Sequence, residues 1–393
     1  MRETWRWFGP DDPVTLEAIR EAGAYGVVTS LYHVHPDAVW DLDEILALKA
    51  RIEAAGLTWD VVESIPVPSA VKLGNAGRDA GIETFCRSLR AVGAAGIGMV
   101  CYNFMPTFDW TRTRTDWRTR TGLATRFDYS DFAAYDLFVL QRPGAERVYT
   151  EADITAARAA HAAATPEDLA HVERTIRLGI PGYLNVRTRD DLLAQIAPFD
   201  GMDHAKLAGN LDTFLKAVVP VADEVGVNLG IHPDDPPFPV FGLPRVVCNG
   251  DDLARILAAH DSPRHGLTFC TGSLGASADN DTEALFARFG SRVNFLHLRN
   301  VRIDGPQSFF EDEHLSGETD MTALITMILR EERRRKDEGR PDWEIPMRPD
   351  HGHLNARDAG MGSPNGYSYI GRLKGLAELR GVVAGVLPHL HGT

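Results

Sequence analysis

Short apolar runs alternate with stretches of helical periodicity along most of the chain. Eight runs have strand length and are rich in β-branched or aromatic residues: 3–8, 26–32, 58–63, 97–103, 227–232, 266–270, 293–298 and 344–348. Between most of them the apolar positions recur at three and four, which predicts helices. Asp12-Pro13 offers an N-cap and a proline at the first helical position for the first of these. A second helix is expected over 41–55, stopped by Gly56, and others near 81–95, 210–225, 250–259, 281–289, 318–338 and 370–387, with Gly226 repeating the stop signal. Eight strands, each trailed by a helix, is the count that closes a (β/α)8 TIM barrel of the α/β class. An open doubly wound sheet would carry a glycine-rich phosphate fingerprint near the start, and the sequence has none. The expected unit is a single barrel domain spanning 1–393.

One segment breaks the rhythm. Residues 104–209 form a long insertion after the fourth strand, with Ala/Arg/Glu-rich helical sequence near 150–178. A connection of that length is far beyond an ordinary βα loop, so a mostly helical cap or a subunit contact is expected there.

Composition adds exclusions more than identity. The net charge of −14 disfavours nucleic acid as a partner, because phosphate binding needs a basic surface. It leaves room for an anionic small molecule where arginines invert the field inside a cleft. No apolar run is long enough for a membrane span, and the first residues lack the apolar stretch of a signal peptide. Four cysteines without a CxxC pair suit a reducing cytoplasm.

In such a barrel the working residues sit at the C-terminal ends of strands. The last four strand ends offer His232, Cys270, His297 and Asp350 in turn. Neighbouring strands lie about 5 Å apart, so two imidazoles, a thiolate and a carboxylate can converge on one divalent ion. Singly, each has a plain structural role: a hydrogen-bonded histidine, a small buried thiol, a carboxylate capping a loop. Jointly, they specify a metal site. Zn²⁺, Fe²⁺ and Mn²⁺ all suit that donor set. His351 and His353 follow in Pro-Asp-His-Gly-His, with Gly352 expected to supply a turn, and Tyr367 lies sixteen residues beyond His351. Arg6, His33, His35 and Asn103 stand at the ends of earlier strands. Arg6, His33, Asn103, Arg299 and Arg348 are the candidate substrate contacts. The arginines suit a substrate carboxylate through paired hydrogen bonds, although Arg348 has the alternative of orienting Asp350.

The segments Thr4-Trp5-Arg6-Trp7-Phe8-Gly9-Pro10, Val100-Cys101-Tyr102-Asn103-Phe104-Met105-Pro106, His232-Pro233-Asp234-Asp235-Pro236-Pro237, Cys270-Thr271-Gly272-Ser273, Met347-Arg348-Pro349-Asp350-His351-Gly352-His353 and Gly371-Arg372-Leu373-Lys374-Gly375-Leu376 resemble the mannonate dehydratase family. The resemblance runs from the first strand to the last helix. It implies a xylose-isomerase-like barrel, one Mn²⁺ or Fe²⁺ per subunit on His232, Cys270, His297 and Asp350, and His351 and Tyr367 as the catalytic pair. The implied reaction removes water from D-mannonate to give 2-dehydro-3-deoxy-D-gluconate, in hexuronate (glucuronate) catabolism. A sugar-acid substrate and a homo-oligomer, a dimer or higher, are expected. The rival enzyme is a metal-dependent sugar isomerase on the same barrel, which favours carboxylate-rich ligand sets. The rival class is a sugar-acid binding protein without turnover.

Overall fold

A computed structural model describes residues 1–178 and 188–392 of the chain; residues 179–187, within the expected insertion, lie outside the described residues. Twelve strands run in chain order: β1 (Arg2–Arg6), β2 (Gly26–Thr29), β3 (Thr58–Glu63), β4 (Met99–Tyr102), β5 (Arg114–Arg118), β6 (Leu123–Phe127), β7 (Asn228–Ile231), β8 (His265–Cys270), β9 (Val293–His297), β10 (Asn300–Gly305), β11 (Ser308–Asp312) and β12 (Pro346–Arg348). Eight of them close into a barrel in the order β1-β12-β9-β8-β7-β4-β3-β2, and all eight neighbour pairs are parallel. These are the eight runs read as strands; β1 and β8 begin one residue earlier than expected, β3 keeps its bounds, and most other ends are shorter.

Val28, Val61, Met99, Cys101 and Phe295 form a small buried cluster from four barrel strands. Packing of this kind fills a TIM barrel and leaves no pore. A much larger apolar shell joins the strands' outer faces to the helices, for example Phe214 and Leu211 of the 22-residue helix His204–Val225. Gly226, at φ +70°, ends that helix in the left-handed conformation that glycine adopts without strain. Asp41 caps the helix Leu42–Ala54 through the amide of Asp43.

The first helix departs from expectation. It runs over Leu16–Glu21 and is capped by Thr15. The Asp12 carboxylate instead accepts from the amides of Phe8 and Val14, at 2.8 and 2.9 Å, and so closes the turn after β1. A side chain already spent on that turn cannot cap a helix.

The insertion is largely helical from 129 onward, with helices Tyr129–Ala134, Glu151–Ala163, Pro166–Leu178 and Arg189–Ile196 among the described residues. It opens, however, with the β5–β6 hairpin, which the helical expectation missed. That hairpin pairs with a second one, β10–β11, in a four-stranded antiparallel sheet ordered β10-β11-β6-β5. Phe309 and Phe127 are register partners across it and stack with ring centres 6.0 Å apart. The β10–β11 hairpin grows directly out of the end of β9, so this second sheet is anchored at the face where the barrel strands end.

Candidate active site

Register sets the centre of the site. In the parallel ladders Cys270 is the partner of His297, and His297 is the partner of Arg348. Three adjacent strands therefore present these side chains in one row. His232 follows the last residue of β7 and donates its backbone amide to Tyr102 O at 2.9 Å, which extends the β4–β7 ladder by one residue. The ligand-capable atoms of His232, Cys270 and His297 all lie within 4.8 Å of one another. His232 Nε2 is 3.0 Å from His297 Nδ1. The Asp350 carboxylate comes within 3.6 Å of Cys270 Sγ. The four side chains expected as ligands thus meet at one end of the barrel, with the carboxylate touching the cluster through the thiol.

The environment of Cys270 favours the thiolate. Burial alone would push its thiol up, yet Arg299 and the hydrogen bonds from His232 and His297 carry it well below the ordinary range. Ser273 adds its hydroxyl at 3.1 Å and its amide at 3.4 Å from Sγ. Asp350 is likewise held ionised: burial opposes it, but Arg348, His351 and Arg299 outweigh burial. Its backbone sits at φ +62°, the left-handed region that a residue other than glycine rarely occupies. Two imidazoles, one buried and one half-buried, an ionised thiol and a carboxylate form a donor set that fits a divalent metal ion.

Glu63, the last residue of β3, was not among the sequence candidates. Its Oε2 lies 3.5 Å from His297 Nε2, which leaves the Nδ1 side of that ring facing His232. A carboxylate on the far nitrogen of a ligating histidine fixes the ring's orientation and tautomer. Burial works against the Glu63 carboxylate, but Arg348 and Arg6 hold it well below the usual range. Arg348 contributes Nη2 at 2.9 Å and Nε at 3.1 Å, and Arg6 pairs with Glu63 as well.

A second buried network joins the insertion to the barrel. Arg112 reaches Asp235 at 2.6 Å and Glu311 at 2.9 Å. Arg299 meets Glu311 at 2.6 Å, lies 2.7 Å from Asp350, and also pairs with Asp235. Burial would raise the Asp235 carboxyl, but Arg112 and Arg299 hold it down to about 2. The expectation that Arg299 and Arg348 meet the substrate carboxylate is not supported by where they lie. Both are buried with their guanidinium groups committed to protein carboxylates, because these carboxylates share the same water-poor space and would be costly to bury unpaired. Arg6 likewise faces Glu63.

Beside this network stands the pair His351 and Tyr367. Both Glu311 carboxylate oxygens lie 2.8 Å from His351 Nδ1, and His351 Nε2 is 3.0 Å from the Tyr367 hydroxyl. An ionised carboxylate only accepts, so Nδ1 carries a proton and donates to Glu311, while Nε2 faces the Tyr367 hydroxyl, with Asp350 Oδ1 3.5 Å away. Burial pushes the Tyr367 phenol up to about 12, so it is a hydrogen donor at neutral pH. The backbone holds the pair together: the Gly352 amide donates to Gly366 O at 2.8 Å. Gly352 is not the turn residue expected of it. A Cβ there would sit 2.3 Å from the Gly371 carbonyl carbon and 2.6 Å from the Arg372 nitrogen, so the position demands close approach of two backbones.

The remaining candidates fall outside this centre. His353 donates Nε2–H to Glu311 O, 2.9 Å away, and its Nδ1 meets Thr121 Oγ1, also at 2.9 Å, tying β11 and the turn between β5 and β6 to the last barrel loop. His33 is exposed and pairs with Glu44 at 3.0 Å, and His35 is exposed too. Asn103 borders a cavity of about 780 Å³ that opens beside the ends of β2, β3 and β4. Glu63 obeys the strand-end rule and could have been found by it. Arg112 and Glu311 lie in an insertion and a hairpin, where the barrel pattern gives no signal.

Fold and site together define a parallel barrel with a His–Cys–His cluster at the ends of its strands and a hydrogen-bonded His–Tyr pair beside it. Among solved structures, the chain superimposes on the crystal structure of mannonate dehydratase from Streptococcus suis serotype 2 with a TM-score of 0.76 and 34% identity, covering 100% of this chain and 95% of that one. A xylose isomerase domain protein from Planctomyces limnophilus, 10% identical with a TM-score of 0.51 and 100% and 99% coverage, shares the fold. Mannonate dehydratase 2 of Agrobacterium fabrum (strain C58 / ATCC 33970) is 52% identical over 384 residues, 98% of this chain and 96% of the relative. The D-mannonate dehydratase (UxuA) family profile matches residues 1–390. The chain belongs to the D-mannonate dehydratase family, whose members are metal-dependent hydro-lyases.

Proposed function

We propose that this protein removes water from D-mannonate to give 2-dehydro-3-deoxy-D-gluconate, with His232, Cys270, His297 and Asp350 holding one divalent ion and His351 and Tyr367 moving the protons. The observation that carries the reading is the seating of an acid–base pair directly against a cluster with a metal-ligand donor set, His351 being the residue after Asp350. When bound, the ion supplies Lewis-acid stabilisation of the negative charge that develops as the C2 proton leaves.

The chain's own residues account for the rest. His351, with Nδ1–H fixed on Glu311, offers the Nε2 lone pair as the base at C2. Tyr367, kept protonated by burial, gives its hydroxyl proton to the departing C3 oxygen. The enol that results rearranges to the 2-keto acid. Trp110 lies edge-on to the His351 ring, with centres 6.1 Å apart, and helps to keep that side of the pair dry. The same reading places the reaction in hexuronate catabolism in the cytoplasm, with Mn²⁺ or Fe²⁺ as the ion; four free cysteines and a thiolate ligand are consistent with a reducing compartment. No helix of the described residues is long and apolar enough to cross a membrane.

The test is turnover of D-mannonate by the purified protein after chelation and after adding back Mn²⁺ or Fe²⁺, read as a 2-keto-3-deoxy acid. Formation of that acid only in the metal-restored sample is expected. Isomerised sugar without loss of water would favour the rival isomerase.

A further inference from the structure

The arginines of the centre described above are committed. Arg6, Arg112, Arg299 and Arg348 face Glu63, Asp235, Glu311 and Asp350, all buried, and the Cys270 thiolate adds a further anion beside Arg299. An anionic substrate approaching a protein of net charge −14 therefore meets no uncommitted guanidinium among these groups. A different cation is available next door. Lys72, on the short helix Ser69–Leu73 after β3, is only 9% exposed and borders the cavity of about 780 Å³. Among the described residues its ammonium has no hydrogen-bond acceptor and no carboxylate oxygen within 4.0 Å. Burial pushes that ammonium down from the ordinary lysine range; Asp109 and Asp234 pull it back without reaching it as ion pairs, and Arg245, a buried guanidinium that makes no ion pair among the described residues, pushes it down further. A buried lysine is ordinarily paired. Across the same cavity, Asn103 has its Oδ1 buried without a partner and only a long 3.5 Å contact from Nδ2 to Asp109. The cavity lies within the range of small-molecule sites, about 300–1,000 Å³, and Asn103 follows Tyr102, whose carbonyl accepts from the His232 amide.

We infer that Lys72 is the anion-capture group of this enzyme: it takes the carboxylate of the incoming sugar acid in the cavity at the ends of β2, β3 and β4, with Asn103 accepting from a substrate hydroxyl. The inference rests on the sugar-acid reading above for its ligand and not on the identity of the ion. It assigns to a lysine the role that sequence reasoning gave to the arginines. It acts on association, where a single well-placed charge in a low-dielectric cavity concentrates an oppositely charged ligand.

The test uses the full chain and D-mannonate itself. Isothermal titration of the chelated protein with D-mannonate, and with the neutral polyol D-mannitol, is run on the unsubstituted protein, K72M and K72R. A charge-assisted hydrogen bond corresponds to roughly a ten- to hundredfold change in affinity. K72M is expected to weaken D-mannonate binding by at least about tenfold on that basis, K72R to stay much closer to the unsubstituted protein, and D-mannitol to bind weakly and alike to all three. In the metal-restored enzyme, K72M should lose kcat/KM chiefly through a rise in KM. K72Q replaces K72M should circular dichroism show the methionine variant unfolded. Equal D-mannonate affinity in all variants overturns the inference, as does a loss confined to kcat, or the absence of D-mannonate binding to the chelated protein. Should the loaded enzyme fail to dehydrate D-mannonate while its binding still depends on Lys72, the reaction assignment falls and the anion site stands.

Discussion

Replacing Glu311 with glutamine tests whether the reach of β11 into the barrel matters for chemistry or only for packing. Glu311 keeps its volume in that variant and loses its charge. In the native site its carboxylate is held down despite burial by His351, Arg299 and Arg112, and it accepts from all three. A carboxamide can accept through one oxygen only. If that oxygen faces His351, the amide N–H₂ is turned against two guanidinium groups that have only donors. If it faces the arginines, the amide donates to Nδ1, and His351 takes the tautomer with its proton on Nε2, the atom that must act as base.

Either arrangement removes a charge-assisted bond of about 1.5–3 kcal/mol, and the second also puts the base in the wrong protonation state. General acid–base catalysis contributes roughly 10²- to 10⁴-fold. The expected fall in kcat for E311Q is accordingly on the order of 10²- to 10³-fold, about 3–4 kcal/mol of barrier, with KM much less affected and the bound metal retained. Breaking one partner out of a buried charge network also costs about 3 kcal/mol of stability or more, so the thermal midpoint must be measured alongside to show that the assayed protein is folded. Steady-state kinetics with metal analysis decides the matter. An E311Q enzyme keeping a third of its kcat would refute the orienting role. A variant losing metal in step with kcat would show that Glu311 works through Arg299 and Asp350 instead of through His351.

Further outcomes follow from the same geometry. Cys270→Ser should lower bound metal and turnover together, since serine does not ionise there; full activity at ordinary metal concentrations removes Cys270 from the ligand set. His351→Asn should retain metal yet abolish exchange of the C2 proton in D₂O, whereas Tyr367→Phe should keep that exchange and lose release of water; the reverse pattern would swap the base and acid. His265 is buried with its pKa lowered to about 4, by burial first. Its unfolded counterpart titrates near 6.5, so between pH 6.5 and 4 the unfolded chain binds the extra proton, and stability falls as pH falls through that window by about 3 kcal/mol in all. Urea denaturation across that range should show the loss, and His265→Gln should flatten it; an unchanged slope in the variant would place the acid sensitivity elsewhere.

The parts of this molecule legible in the sequence are those set by local periodicity. The eight barrel strands were placed because a buried parallel strand needs a short apolar run whatever surrounds it. The proximity of His232, Cys270 and His297 was legible because the strand-end rule turns a one-dimensional position into a three-dimensional one, and Cys270 and His297 are register partners on adjacent strands. The β10–β11 hairpin turns at Pro306-Gln307, between the register partners Gly305 and Ser308, with no Asn-Gly or Asp-Gly pair in the loop to mark it. It was hidden by the habit of expecting a helix after each strand. Asp12 and Gly352 were noticed for a local reason and used by the fold for a tertiary one.

The arginines show where such reading stops. Arg299 and Arg348 were rightly placed at the mouth of the barrel, but a guanidinium suits a substrate carboxylate and a protein carboxylate equally well. Which one it meets depends on residues far off in the chain: Glu63 stands 285 positions from Arg348, and Glu311 stands 199 from Arg112. Nothing local distinguishes the two outcomes, because the deciding quantity is the sum of charges brought into one dry volume by the closed barrel and the hairpins beside it. Four carboxylates there leave four arginines no freedom. The binding of an anion is then left to cations that the fold has not neutralised; of these, Lys72 borders the cavity, and it meets the condition through a feature the sequence does not display, the lack of a carboxylate partner.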